Sequence, residues 1–210
     1  QFGTAQVLAL SSANLNAIDR SQIAAFTTDQ VASLSSYQSR SLSTTNLQAL
    51  TTDQIVSLTT QQVDAFTSTQ VAGLAESQIT ALETADFASL TTQNIRAMAT
   101  SQVAALGTKQ IEALTTGQAF ALSSSNISGL SQEQIQSLQT SDIVALTTAT
   151  VRSFTVDQMV ALTASQLAAL RTDQFASLST ANVSALSRTQ VMDLQTAGLS
   201  VLATENMQAL

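Results

Sequence analysis

Thr51-Thr-Asp-Gln-Ile-Val-Ser-Leu58 is one copy of a line that this chain repeats 26 times. From Gly3 to Leu210 the sequence runs in consecutive octads with no insertion or deletion. A fixed short period means a quasi-one-dimensional protein, in which each unit touches mainly its neighbours. Numbered from one to eight, position eight is large and apolar in every copy: Leu in 21, otherwise Ile18, Phe26, Phe66, Met98 and Phe154. Position five is apolar in 25 copies, and Ser39 is the exception. Position seven is Ala, Ser or Gly in 24; position four is Gln in 16 and Asn in six. Ser and Thr dominate positions one and two. Positions three and six vary freely, which marks them as the solvent side.

One long helix does not fit this pattern. Eight residues at 100° each advance the apolar pair by roughly 80° per repeat, so the stripe circles the helix and no face is buried. A strand fits little better, because positions five and eight are an odd number apart and point to opposite faces. A helix restarted in every octad satisfies each position. Ser or Thr at position one is an N-cap, and Gln at position four is N3, the reciprocal partner of a capping box. Ten octads carry that box literally, among them Thr27/Gln30, Thr51/Gln54, Thr59/Gln62 and Thr163/Gln166. The preceding position eight and position five then become the two halves of a hydrophobic staple, pairing Leu58 with Val63 and Phe66 with Val71. Asp29, Asp53, Asp157 and Asp173 fall at N2, where the helix dipole favours an acid. The small position seven lets neighbouring helices approach. The expected fold is therefore an all-α solenoid of 26 short two-turn helices, each from position two to position eight, with a β-solenoid as the alternative. Position-four glutamines are also candidates for ladders between repeats, alongside capping. No 16- or 24-residue superperiod stands out in the substitutions.

Helices of two turns are unstable alone because nucleation is costly, so the octads must stack. Residues 1–210 are expected to form a single continuous array with no internal linker, either a segment of a longer array or a subunit whose ends meet other subunits. Gln1-Phe2 reads as the tail of a preceding octad, and neither end carries a polar capping repeat.

Composition narrows the chemistry. There is no Cys, His, Trp or Pro. Disulfides and thiolate metal sites are excluded, and no imidazole base exists for the many hydroxyls. The net charge of −7, with Lys109 the sole lysine, leaves no basic face for a phosphate backbone, so no nucleic-acid partner is expected. No apolar run is long enough to span a bilayer, so the chain is not read as transmembrane. Glu76 and Glu83 lie one octad apart but at different positions and read as surface drift. No calcium-loop, Gly-rich phosphate or dinucleotide string occurs. No catalytic, cofactor-binding or metal-binding residue is expected, and neither is enzyme activity. Asn126-Ile-Ser128 and Asn182-Val-Ser184 match the N-glycosylation pattern, yet both asparagines occupy the capping-box position. The Thr pairs form a regular hydroxyl array for which capping is the simpler role. Octad 35–42 departs most from the rest: Ser39 takes a core position between Tyr37 and Arg40, which suggests a soft spot, a bend or a contact site. Ala119 is small where Phe120, at position six, is large; the ring either faces outward as a subunit contact or turns in to fill the gap.

The string Leu50-Thr-Thr-Asp-Gln-Ile55, repeated with drift, resembles octapeptide tracts of large bacterial secreted or cell-surface, adhesin-like proteins. The resemblance covers essentially the whole chain and implies an extracellular or cell-surface, structural or adhesive role. The expected function is a rod, stalk or filament building block that self-associates end to end or side by side. The alternative is an adhesin or effector solenoid that offers a surface to a protein or glycan partner.

Overall fold

A computed structural model describes residues 3–194, 199–202 and 204–208. Among the described residues it contains 25 helices of four to six residues, no two of them in the same octad, and no strand. The chain is an all-α solenoid of short helices, and the β-solenoid alternative is set aside.

Each restart is made by backbone angles that any L-residue adopts. Thr51, at position one, is extended (φ −71°, ψ 164°), and the next helix runs Thr52–Val56. The helices stop earlier than expected, at position six or seven in all but Thr204–Met207, which ends at position five; this leaves about one and a half turns at 3.6 residues per turn. Position eight leaves the helix because two successive extended residues are needed to redirect the chain. Leu50, for example, sits at φ −63°, ψ 135°. Its departure is eased by a tightened last turn, in which the position-eight N–H bonds the position-five carbonyl, as in Leu58 N to Ile55 O at 3.1 Å. No described residue has a positive φ. The usual glycine stop is thus not required, which accounts for a sequence of 26 octads with six glycines and no proline.

Two compact units are present, Gln1–Leu106 and Gly107–Leu210, and their boundary falls between octads. Within each, a helix packs on the third helix before it and the third after it. In the first unit Thr52–Val56 packs on Thr28–Ala32 and on Glu76–Ala81. In the second, Thr140–Ala145 packs on Thr116–Ala121 and Ala164–Ala168. Three octads, 24 residues, therefore complete one coil. Positions five and eight of successive coils line the core: Ile55 is 0 % exposed and Leu58 5 %. The expected staple partners Leu58, Val63, Phe66 and Val71 are all buried. Burying such a side chain is worth about 1.5–3 kcal/mol, which a five-residue helix cannot collect without a neighbouring coil.

Octad 35–42 keeps the regular geometry, with a helix over Ser36–Ser41, so it is not a bend. Ser39 is fully buried, and its hydroxyl has no hydrogen-bond partner. Ser39→Val restores the apolar residue that the other octads carry and removes an unsatisfied polar group. A gain of about 1–3 kcal/mol in chemical denaturation is expected, since that is what leaving a buried donor or acceptor unmade costs. An unchanged or lower urea midpoint would contradict this account of the position.

Candidate functional site

The most elaborate chemistry of the molecule lies inside the coil. A helix leaves N–H groups orphaned at its start and carbonyls orphaned at its end. Position four serves both kinds at once. Gln62 is 1 % exposed. Its Oε1 accepts from Thr59 N at 2.7 Å, the capping-box bond. Its Nε2 donates to Val31 O at 2.9 Å, Ala32 O at 3.3 Å and Leu34 O at 2.6 Å, the carbonyls that close a helix one coil earlier. Gln54 repeats this on Ile23, Ala24 and Phe26, and Gln102 on Val71, Ala72 and Leu74. In the second unit Gln166 does so on Ile135, Gln136 and Leu138, and Gln174 on Ile143, Val144 and Leu146. One carboxamide thus closes the start of its own helix and the end of another. Capping and the inter-repeat ladder, read from the sequence as parallel options, are two arms of the same side chain.

The glutamine arm is the more constant of the two. Where position one is Ala75, Ala99 or Gly107 there is no hydroxyl, yet the helix starts, its first N–H held by Gln78, Gln102 or Gln110 Oε1 at 3.0, 2.9 and 3.1 Å. Shorter residues at position four still reach one carbonyl: Asn94 Nδ2 donates to Phe66 O at 3.0 Å and Thr150 Oγ1 to Leu122 O at 3.2 Å. Asp86 instead accepts from Thr60 Oγ1 at 2.7 Å. The two glycosylation-pattern asparagines belong to this layer. Asn126 and Asn182 are each 2 % exposed, and Asn182 Nδ2 donates to Phe154 O at 2.8 Å. In the folded coil neither amide nitrogen is accessible to a modifying enzyme.

The surface is simple. Arg171 bonds Asp173 through two nitrogens at 3.0 Å each, and this guanidinium holds the carboxyl below the usual carboxylate range. Lys109 pairs with Glu112 at 2.8 Å. No group of three or more His, Cys, Asp or Glu with metal-binding placement occurs among the described residues. No helix there is long and apolar enough to cross a membrane. A cleft of about 450 Å³ is lined by Ile18, Phe26, Gln22 and Gln30. These are position-four and position-eight residues, the same types that stack coil on coil elsewhere, and no charged residue lines the cleft.

The coil period also reveals what sequence reading missed. Position-six substitutions look dispersed along the chain. In the second unit, however, Phe120, Val144, Ala168 and Met192 are spaced by 24 residues and fall on one side of four successive coils. Phe120 is 52 % exposed and Met192 74 %. Of the two options for Phe120, the ring stays outward, while Ala119 alone fills the core position. The column involves four of the 26 position-six residues, too few to show as a 24-residue superperiod of the whole sequence.

A known repeat profile matches residues 1–36, 40–76, 79–116 and 135–172. The chain belongs to the ALTTAQ repeat family. Ala49-Leu-Thr-Thr-Asp-Gln54 shows how an ALTTAQ string maps on the fold. Its Ala and Leu end one helix, its first Thr caps the next, and its Gln ties the new helix to the previous coil. No curated protein matches the chain.

Proposed function

We propose that this ALTTAQ repeat array is a structural element: a rod, stalk or filament building block outside a bacterial cell, without catalytic activity. The observation that carries the proposal is the ladder. The buried carboxamides at position four are spent on holding coil to coil. The ladder is also directional, because each coil donates backward to carbonyls of the coil before it. Two arrays stacked end to end would continue it, a donor face meeting an acceptor face, and a heterologous contact of this kind propagates rather than closes. An extracellular setting is supported by the resemblance of the octads to tracts of bacterial secreted and cell-surface proteins. The absence of His and Cys from the sequence supports the non-catalytic reading. Light scattering with negative-stain electron microscopy tests it. Elongated particles whose length grows with protein concentration, without added partner, are expected. Discrete monomers under every condition would remove the filament role.

A second reading, a binding module for a protein partner, is favoured by one observation, the apolar column on the second unit. It predicts a monomer at all concentrations, and a partner whose affinity falls when Val144 and Met192 are replaced by Asp while the fold is retained.

A further inference from the structure

Asp142 stands where the ladder needs a donor. It occupies position four and is 1 % exposed. Asn46 at this position reaches the carbonyl 31 residues earlier, at 3.2 Å, but Asn94, Asn182 and Asn206 put Nδ2 on the carbonyl 28 residues earlier, at 3.0, 2.8 and 3.0 Å. For residue 142 that carbonyl is Leu114 O, in the same compact unit, and no hydrogen bond to it is made by any described residue. An ionised carboxylate offers only acceptors. Asp142 uses one of them, Oδ2, to accept from Gln139 N at 3.3 Å. Thr116, placed as Thr60 is toward Asp86, makes no bond to it.

We propose that Asp142 is a proton-operated fastening between octad 139–146 and octad 107–114. Protonated, it donates to Leu114 O as asparagine would; ionised, it sets acceptors against acceptors, and the seam loosens. Burial pushes the carboxyl up to about 6, against the lowering effect of the Gln139 N–H. The helices packed on Thr140–Ala145 are Thr116–Ala121 and Ala164–Ala168, and neither carries a charged residue. Octad 107–114 carries Lys109 and Glu112, which pair with each other, and Arg171, which reaches the helix by donating to Val144 O, is paired with Asp173. The sign follows from an acid whose folded value is raised. The folded state binds the extra proton between the ordinary carboxylate value and about 6. The seam is therefore tightest below that window, weakens as pH rises through it, and is constantly weak above. The inference does not depend on whether the array forms filaments.

Hydrogen exchange of the whole chain, corrected for intrinsic rates, tests it at residues 140–145 and 111–116. Local opening is expected to be roughly 30-fold greater at pH 7.5 than at pH 4.5, from integrating a two-unit shift over that interval. Asp142→Asn should abolish the step and leave these amides strongly protected at both values. Asp142→Ala should abolish the step and leave them weakly protected at both. A wild-type chain without the step would overturn the proposal. So would a step that survives in Asp142→Asn, which belongs to another group. An alanine variant as protected as the asparagine one would overturn the donor bond to Leu114.

Discussion

Gln62→Ala is expected to lower the stability of the first unit by about 1.5–4.5 kcal/mol: about 1–3 for the buried Leu34 carbonyl left without its donor, and about 0.5–1.5 for the lost bond to Thr59 N. The Thr59 N–H loses its acceptor, and the carbonyl of Leu34 loses a donor at 2.6 Å. Thr59→Ala removes only the hydroxyl arm of the cap and should cost about 0.5–2 kcal/mol. The ranking of the two variants separates a fold restarted by hydroxyls from one restarted and stacked by amides. Gln62→Glu dissects the amide further. It keeps the oxygen that accepts from Thr59 and replaces the donor with an acceptor. It should be destabilised at neutral pH and recover on acidification. Urea denaturation of the three variants measures this, and equal midpoints for Gln62→Ala and Thr59→Ala would refute the assigned hierarchy.

Phe87→Ala is expected to cost about 3–5 kcal/mol, the range for emptying a well-packed aromatic site. Phe87 is 0 % exposed and stands at position five, where most octads carry Ile or Val. Its surroundings are shaped for a larger side chain than the consensus, so Phe87→Val should be only partly tolerated. In a repeat array the loss stays near its origin. Hydrogen exchange should rise in the coils that contain and adjoin residue 87, while amides near residue 15, in the same unit, change little. Uniform loss of protection through the unit would show that it unfolds as one cooperative block.

The helices were legible in the sequence because the forces that start them are local. An N-cap and its N3 partner lie three residues apart, and Thr51/Gln54 announce themselves without any knowledge of the rest of the chain. Their ends were less legible. Position eight was read as helical, whereas Leu50 adopts extended angles that leave no mark in composition, since they need neither Gly nor Pro. The same silence hid the coil period. The number of octads per coil is set by the angle through positions eight and one, and the described octads make similar turns. Without the period, the donor arm of Gln62 had no visible target, because its carbonyls lie 28 to 31 residues away. The apolar column from Phe120 to Met192 stayed hidden because four residues do not mark a 24-residue period across 26 octads. Ser39 was legible as a departure, but its cost became clear only once its hydroxyl was found without a partner.

Three octads per coil also set rules for how such a gene can lengthen. Tandem duplication of eight codons adds one helix and leaves the interior indifferent, because each octad bonds to its predecessors in the same register. It moves every downstream surface residue by a third of a circuit, however, so columns built on one flank are dealt onto another. Duplication of 24 codons preserves both the interior and the flanks. A lineage under selection for bulk length alone can grow by single octads, whereas one that relies on a particular flank is held to whole circuits.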